Sequence, residues 1–114
     1  MQIGGYSFGR IEIGGRIYTA DVIITPEQVV EGWRRQRGHS LAISDLAEII
    51  AAKPDILVVG TGYYGRMAIP EGTRRYLQAQ GLRMQQAYTG KAVAEFNRLQ
   101  QESARVVAAL HLTC

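Results

Sequence analysis

Six consecutive residues, Gly60-Thr61-Gly62-Tyr63-Tyr64-Gly65, make the strongest chemical suggestion in this sequence. Gly-x-Gly-x-x-Gly behind a strand is the spelling with which a βα unit cradles a pyrophosphate. The rest of that apparatus does not follow. Helix signals begin only at Pro70, so no helix N-terminus meets the glycines. The next strand, Leu82 to Gln86, holds no Asp or Glu to bind a ribose. No Gly-Lys-Ser or Gly-Lys-Thr follows either. Nicotinamide, flavin and triphosphate binding are therefore set aside, and no cofactor is expected.

A milder reading keeps the same residues. The Gly60–Gly62 turn exposes backbone N–H groups, Arg66 can reach across it, and Thr89-Gly90-Lys91 adds a helix N-terminus and an ammonium from a neighbouring loop. Such a cleft favours a small anionic metabolite, with Thr61 and Thr89 as hydroxyl donors. The same residues also fit a structural role: glycines that allow sharp turns, a Thr89 helix cap, and Arg66 and Lys91 in water. Tyr63 and Tyr64, adjacent on the Gly-rich loop, suit the docking of a protein partner or, equally, packing over the sheet edge.

For catalysis the stock is thin. His39 lies among Arg37, Gly38 and Ser40, and His111 sits in a terminal apolar strand where a hydrogen-bonded structural role is expected. Cys114 beside that strand reads as inert. Asp21, Asp45 and Glu71 have no carboxylate partner at a defined spacing and read as turn or helix-start residues. No catalytic set and no metal ligand set is expected. A single cysteine excludes an internal disulfide and a cysteine-based zinc site.

The elements that must position these residues can be read from periodicity. Ile11-Glu12-Ile13-Gly14-Gly15-Arg16-Ile17-Tyr18 alternates around a Gly-Gly pair and predicts an antiparallel hairpin over 11–19. Val22-Ile23-Ile24 predicts a short strand ended by Thr25-Pro26, and a further strand is expected around Trp33. Leu46, Ile49 and Ile50 fall at helical spacing behind a Ser44 cap and Asp45, and Lys53-Pro54 ends that helix. Ile56-Leu57-Val58-Val59, apolar on both faces and ending at Gly60, reads as an interior parallel strand. A second helix opens at Pro70-Glu71 and closes at Gly81, and a strand with Leu82 and Met84 follows. Thr89 caps a third helix with a stripe of Ala92, Val93, Phe96 and Leu99. Arg105 to Thr113 is the most apolar run and is placed centrally in the sheet. Strand, loop, helix, strand over 56–86 fits a right-handed crossover, which brings the loops at 60–69 and 87–91 side by side.

The chain has 114 residues, 46% of them apolar and 20% charged, enough for a single domain over 1–114. Thirteen Lys and Arg against ten Asp and Glu leave +3, and the basic residues are scattered. The short clusters Arg34, Arg35, Arg37 and Arg74, Arg75 read as solvated faces, and no nucleic-acid partner is expected. No apolar run approaches the ~20 residues of a membrane span. Met1 to Arg10 lacks the features of a signal peptide, so the chain reads as soluble and intracellular. The predicted fold is α/β: three layers, a mixed, partly parallel central sheet and an N-terminal β-hairpin.

The order of motifs resembles a known family. Val58-Val59-Gly60-Thr61-Gly62, Pro70-Glu71, the Gly81 strand, Thr89 to Ala92, Phe96-Asn97-Arg98-Leu99 and Arg105-Val106-Val107-Ala108-Ala109-Leu110-His111 carry the likeness. It is to the small family that contains the mitochondrial respiratory complex I assembly factor 3 and the animal adipogenesis-associated protein, with many bacterial and archaeal members. The resemblance covers nearly the whole chain. It implies a three-layer α/β domain with a mixed sheet and no established enzymatic activity. It also implies a protein partner among membrane-complex subunits or their assembly machinery. Mitochondrial members carry an import presequence absent here, so the expected compartment is the bacterial cytoplasm.

Overall fold

The computed structural model describes residues 1–102 and 105–114. The described residues form strands β1 (Ile3–Ser7), β2 (Arg10–Ile13), β3 (Arg16–Tyr18), β4 (Val22–Ile24) and β5 (Val29–Glu31). A 3-10 turn (Ile43–Leu46) then leads into α1 (Ala47–Ala51), β6 (Ile56–Gly60), α2 (Glu71–Ala79), β7 (Arg83–Ala87), α3 (Thr89–Gln100) and β8 (Val106–Leu110).

The predicted hairpin is β2 and β3, paired antiparallel with Ile11 opposite Tyr18. Its Gly14-Gly15 turn has φ of +57° and +83°, the two left-handed positions that a type I′ turn requires. β1 adds a third antiparallel strand that the pattern did not announce. Gly4 and Gly5 interrupt the alternation, and the register shifts between Ile3 and Gly5.

The main sheet has the order β5-β4-β8-β6-β7. β6 runs parallel to both β7 and β8, while β4 is antiparallel to β8, so the sheet is mixed and the most apolar strand lies at its centre. Period-two geometry then sorts the core. Val22, Ile24, Ile56, Val58, Val106, Ala108 and Leu110 face α3 and the three-stranded sheet, where Ile11, Ile13, Phe96 and Leu99 complete one cluster. Ile23, Leu57, Val59, Val107 and Ala109 face the other way, against Leu41, Leu46, Ile49, Met67 and Leu77. Three layers result, as the sequence predicts.

Local expectations shift in three places. The strand expected around Trp33 is β5, a few residues earlier. Trp33 itself is buried, and its indole N–H donates to the Asp45 carbonyl at 3.3 Å. Ser44 does not cap the first helix. The Asp45 carboxylate accepts from the backbone N–H groups of Ala42 and Gln36 at 2.8 and 3.0 Å, and the Ser44 hydroxyl goes to Gln36 instead. A carboxylate offers two strong acceptor oxygens where a hydroxyl offers one. Thr89 is the first residue of α3, behind Tyr88, and makes no capping bond; its hydroxyl is drawn into the site described next.

Candidate functional site

Parallel pairing of β6 with β7 and β8 sends the carboxyl ends of all three strands to one edge. There the turns at Gly62 and Thr89 are direct neighbours. The Thr89 N–H donates to the Gly62 carbonyl at 3.0 Å, and the Gly62 N–H donates to Thr89 Oγ1 at 2.8 Å. Thr89 Oγ1 in turn donates to the His111 carbonyl at 2.6 Å, and the His111 N–H reaches the Gly60 carbonyl at 3.0 Å. Thr61 closes the set by donating both N–H and hydroxyl to the Ala87 carbonyl.

The Gly-rich loop embraces the chain's own residues 113–114. Tyr63 N–H donates to the Thr113 carbonyl at 2.7 Å, and Arg66 N–H donates to Cys114 O at 2.9 Å. Gly62 has φ +114°, and a Cβ there would overlap the Cys114 main chain and lie 2.8 Å from the Thr113 carbonyl oxygen. The loop therefore approaches that segment more closely than a side chain would permit. α2 begins only at Glu71, beyond Gly65, so no helix opens within the glycines.

The predicted site residues thus separate. Gly60, Thr61, Gly62 and Thr89 are buried, and both hydroxyls are engaged within the chain. Arg66, Gly90 and Lys91 are exposed. Lys91 lines a groove of about 250 Å³ between β7 and α3, walled also by Val58, Gln85, Gln86 and Glu95, and Arg66 is not among its walls.

The aromatic residues come together. Tyr63 and Tyr64 expose 47% and 59% of their surface and meet edge to face at 5.0 Å between ring centroids. Phe8, 49% exposed, joins them from the β1–β2 turn at 5.8 Å from Tyr63 and 6.1 Å from Tyr64. Tyr88 lies exposed against Gly65. Sequence reasoning missed Phe8; the signal was a large aromatic beside Gly9, in a turn where polar residues are usual. Behind the patch Tyr6, whose ring is 6.3 Å from Tyr63, donates its O–H to the Leu112 carbonyl at 2.8 Å. Burial pushes the Tyr6 phenol up to about 12, against a lowering contact with the Thr89 hydroxyl.

In a second group at this edge His111 has the hydrogen-bonded structural role expected of it, but its partners Asp21 and Arg35 were misread. Asp21, expected as a turn residue, accepts from Arg35 Nη2 at 2.8 Å and from the Leu112 N–H at 2.8 Å, and its Oδ2 lies 2.8 Å from His111 Nδ1. Burial opposes its charge, but the hydrogen bonds from His111, Leu112 and Arg35 hold the carboxyl below the usual range. Arg35 is not solvated: its side chain is 4% exposed and its guanidinium lies 4.8 Å over the Trp33 ring.

Residues 3–111 match the sequence profile of a family described as "Protein of unknown function (DUF498/DUF598)". Solved structures resemble the chain over almost its full length. One is a protein of Bordetella parapertussis, 30% identical, with TM-score 0.81 over 96% of this chain and 92% of that one. A conserved hypothetical protein of Pyrococcus horikoshii matches at 24% identity and TM-score 0.81 over 100% of both chains. A Bordetella pertussis protein described as an Mth938-like domain matches at 23% identity and TM-score 0.71, over 97% of this chain and 85% of that one.

Proposed function

The chain belongs to the DUF498/DUF598 family of proteins of unknown function, and from that premise we propose that it is a non-catalytic interaction protein that docks a protein partner through Phe8, Tyr63 and Tyr64. The observation that carries this reading is the mutual contact of three half-exposed aromatic rings at the sheet edge. Exposed aromatics on a rigid base lose little conformational entropy on binding and supply most of the energy at protein interfaces. The loop beneath them is tied to β7, α3 and residues 113–114, so the rings are presented in place. The resemblance to the group containing complex I assembly factor 3 points to a partner among the subunits of a membrane-bound respiratory complex or its assembly machinery.

The test is affinity capture from detergent-solubilised bacterial membranes, comparing the unaltered protein with Tyr63→Ala and Tyr64→Ala. Respiratory-complex subunits should be recovered, and each variant should lower recovery by roughly tenfold at an unchanged melting temperature, the scale of one interface hot spot. Equal recovery with both variants and with Phe8→Ala would remove the reading.

The second reading is a cleft for a small anionic metabolite at Gly60, Thr61, Gly62, Arg66, Thr89, Gly90 and Lys91. It is favoured by the adjacency of the two turns and by the exposure of Arg66 and Lys91. The engagement of Thr61, Thr89 and the Tyr63 and Arg66 N–H groups within the chain weighs against it. A thermal-shift screen against phosphates and carboxylates, with stabilisation lost in Arg66→Ala, would support it; no shift with any anion would leave these loops structural.

A further inference from the structure

We infer that the outer edge of β7 is an interface at which a second copy of this chain pairs antiparallel, about a two-fold axis at Gln85. The inference goes beyond the aromatic docking face and uses none of its residues. β7 ends the five-stranded sheet and has β6 as its neighbour on one side alone. Two bonds fix which way its backbone groups point: the Arg83 N–H donates to the Asp55 carbonyl at 3.4 Å, and the Ala87 carbonyl accepts from the Thr61 N–H at 2.9 Å. Successive residues of a strand turn their backbone groups to opposite sides, so Arg83, Gln85 and Ala87 serve the ladder to β6. The N–H and C=O groups of Met84 and Gln86 face outward, with no backbone partner among the described residues.

The other edge of the sheet is guarded, and this one is not. β5 has three residues, follows closely on Pro26, and carries Glu31, which lies 3.8 Å from Arg16 of β3. Short strands, prolines and charges are the usual means by which sheet edges avoid pairing. β7 runs five residues in unbroken register with β6, without proline, lysine or bulge, and its one charge, Arg83, stands at the first position. Such an edge is a template for another strand.

The residues of β7 fit that strand to a second copy of itself. A two-fold axis at Gln85 sets Met84 of each copy opposite Gln86 of the other, and these are the residues whose backbone groups are unpaired. Each such pair exchanges two N–H···O bonds. The two Gln85 side chains then meet across the axis. An amide carries donor and acceptor alike, so glutamine complements its own copy where a charged residue would repel it. The exposed Arg83 of one copy stands opposite Ala87 of the other, on the face that carries α3. There it enters the groove between β7 and α3, where Glu95 offers the guanidinium a carboxylate. Lys91, the base at the same groove, is exposed and keeps its charge in water. One surface meeting its own copy about a two-fold axis is the commonest way for identical chains to associate.

The experiment is analytical ultracentrifugation of the full chain from micromolar concentration to about 1 mM, paired with amide hydrogen exchange at both ends of that range. A monomer–dimer equilibrium is expected, with the Met84 and Gln86 amides roughly tenfold or more better protected in the dimer. Gln85→Lys and Gln85→Glu, which set like charges across the axis, should each weaken association by roughly tenfold or more. Their equimolar mixture should restore it, because the opposed charges then attract. Gln86→Pro removes an outward N–H, leaves the ladder to β6 intact, and should abolish the dimer. The inference is overturned by a monomer at every concentration, by a dimer that survives undiminished in both Gln85 variants, or by a dimer whose Met84 and Gln86 amides exchange as fast as in the monomer. Either of the last two results would place the contact elsewhere, as on Phe8, Tyr63 and Tyr64.

Discussion

A single hydroxyl, that of Thr89, joins three segments by accepting from Gly62 and donating to His111. Thr89→Val keeps the shape and deletes both bonds, orphaning a buried N–H and a buried carbonyl. Chemical denaturation should show a loss of about 2–6 kcal/mol, the sum of two such penalties. Thr89→Ser should recover most of it, which separates the hydrogen bonds from the packing. Asp21 and Tyr6 give the edge its pH limits. The Asp21 carboxyl is depressed in the folded state, so its stabilisation is present above the unfolded value of 3.8 and is lost as pH falls through the lower folded value. The melting temperature should therefore drop on acidification below about pH 4, and Asp21→Asn should be less stable at neutral pH with a flatter acid limb. Tyr6 has the opposite sense: its stabilisation is complete below 10 and is lost as pH rises toward about 12. Tyr6→Phe should flatten that alkaline loss.

At the scale of elements, the Gly60–Gly65 loop is shaped to enclose residues 113–114, and Gly62 is the point of closest approach. Gly62→Ala would force a side chain into a left-handed φ and into the Cys114 main chain together. The expected cost is at least about 1–3 kcal/mol of backbone strain. Amide hydrogen exchange should show the Tyr63 and Arg66 N–H groups losing protection, because their acceptors are the displaced carbonyls. An unchanged exchange pattern would mean that the loop holds its form without that segment. Elements differ in how openly the sequence declares them. β6 and β8 are apolar on both faces because both faces of the sheet are covered, and α3 has its stripe because one face meets the sheet. β1 was hidden because Gly4 and Gly5 leave no side-chain alternation to read. Ser44 and Thr89 carried cap-forming residue types, but a carboxylate at Asp45 and a buried tie to Gly62 took the roles that propensity assigned.

For the whole molecule, three half-exposed aromatic rings gather beside the carboxyl edge of the sheet, where strand direction also brings the Gly-rich loop, the start of α3 and the buried Arg35–Asp21–His111 group. If the patch serves docking, the double variant Tyr63→Ala/Tyr64→Ala should melt within a few degrees of the unaltered protein, since exposed side chains contribute little to stability. A large drop in melting temperature would show instead that the rings close the fold. Among the described residues no helix is long and apolar enough to cross a membrane.

What the sequence determined alone is what local pattern encodes: the glycine turn of the hairpin, the two-faced apolar strands, the stripe of α3, and the neighbouring turns at Gly62 and Thr89 that follow from parallel strands joined by a short crossover. Those features depend on contacts within a few residues, or on a handedness rule common to all such units. Which polar side chains meet was settled only in three dimensions. Asp21 and His111 are 90 positions apart, and Arg35 and His111 are 76 apart. Nothing in the spacing of an isolated Asp, an Arg in a basic run and a His in an apolar strand announces their meeting, because it depends on β4 lying antiparallel beside β8.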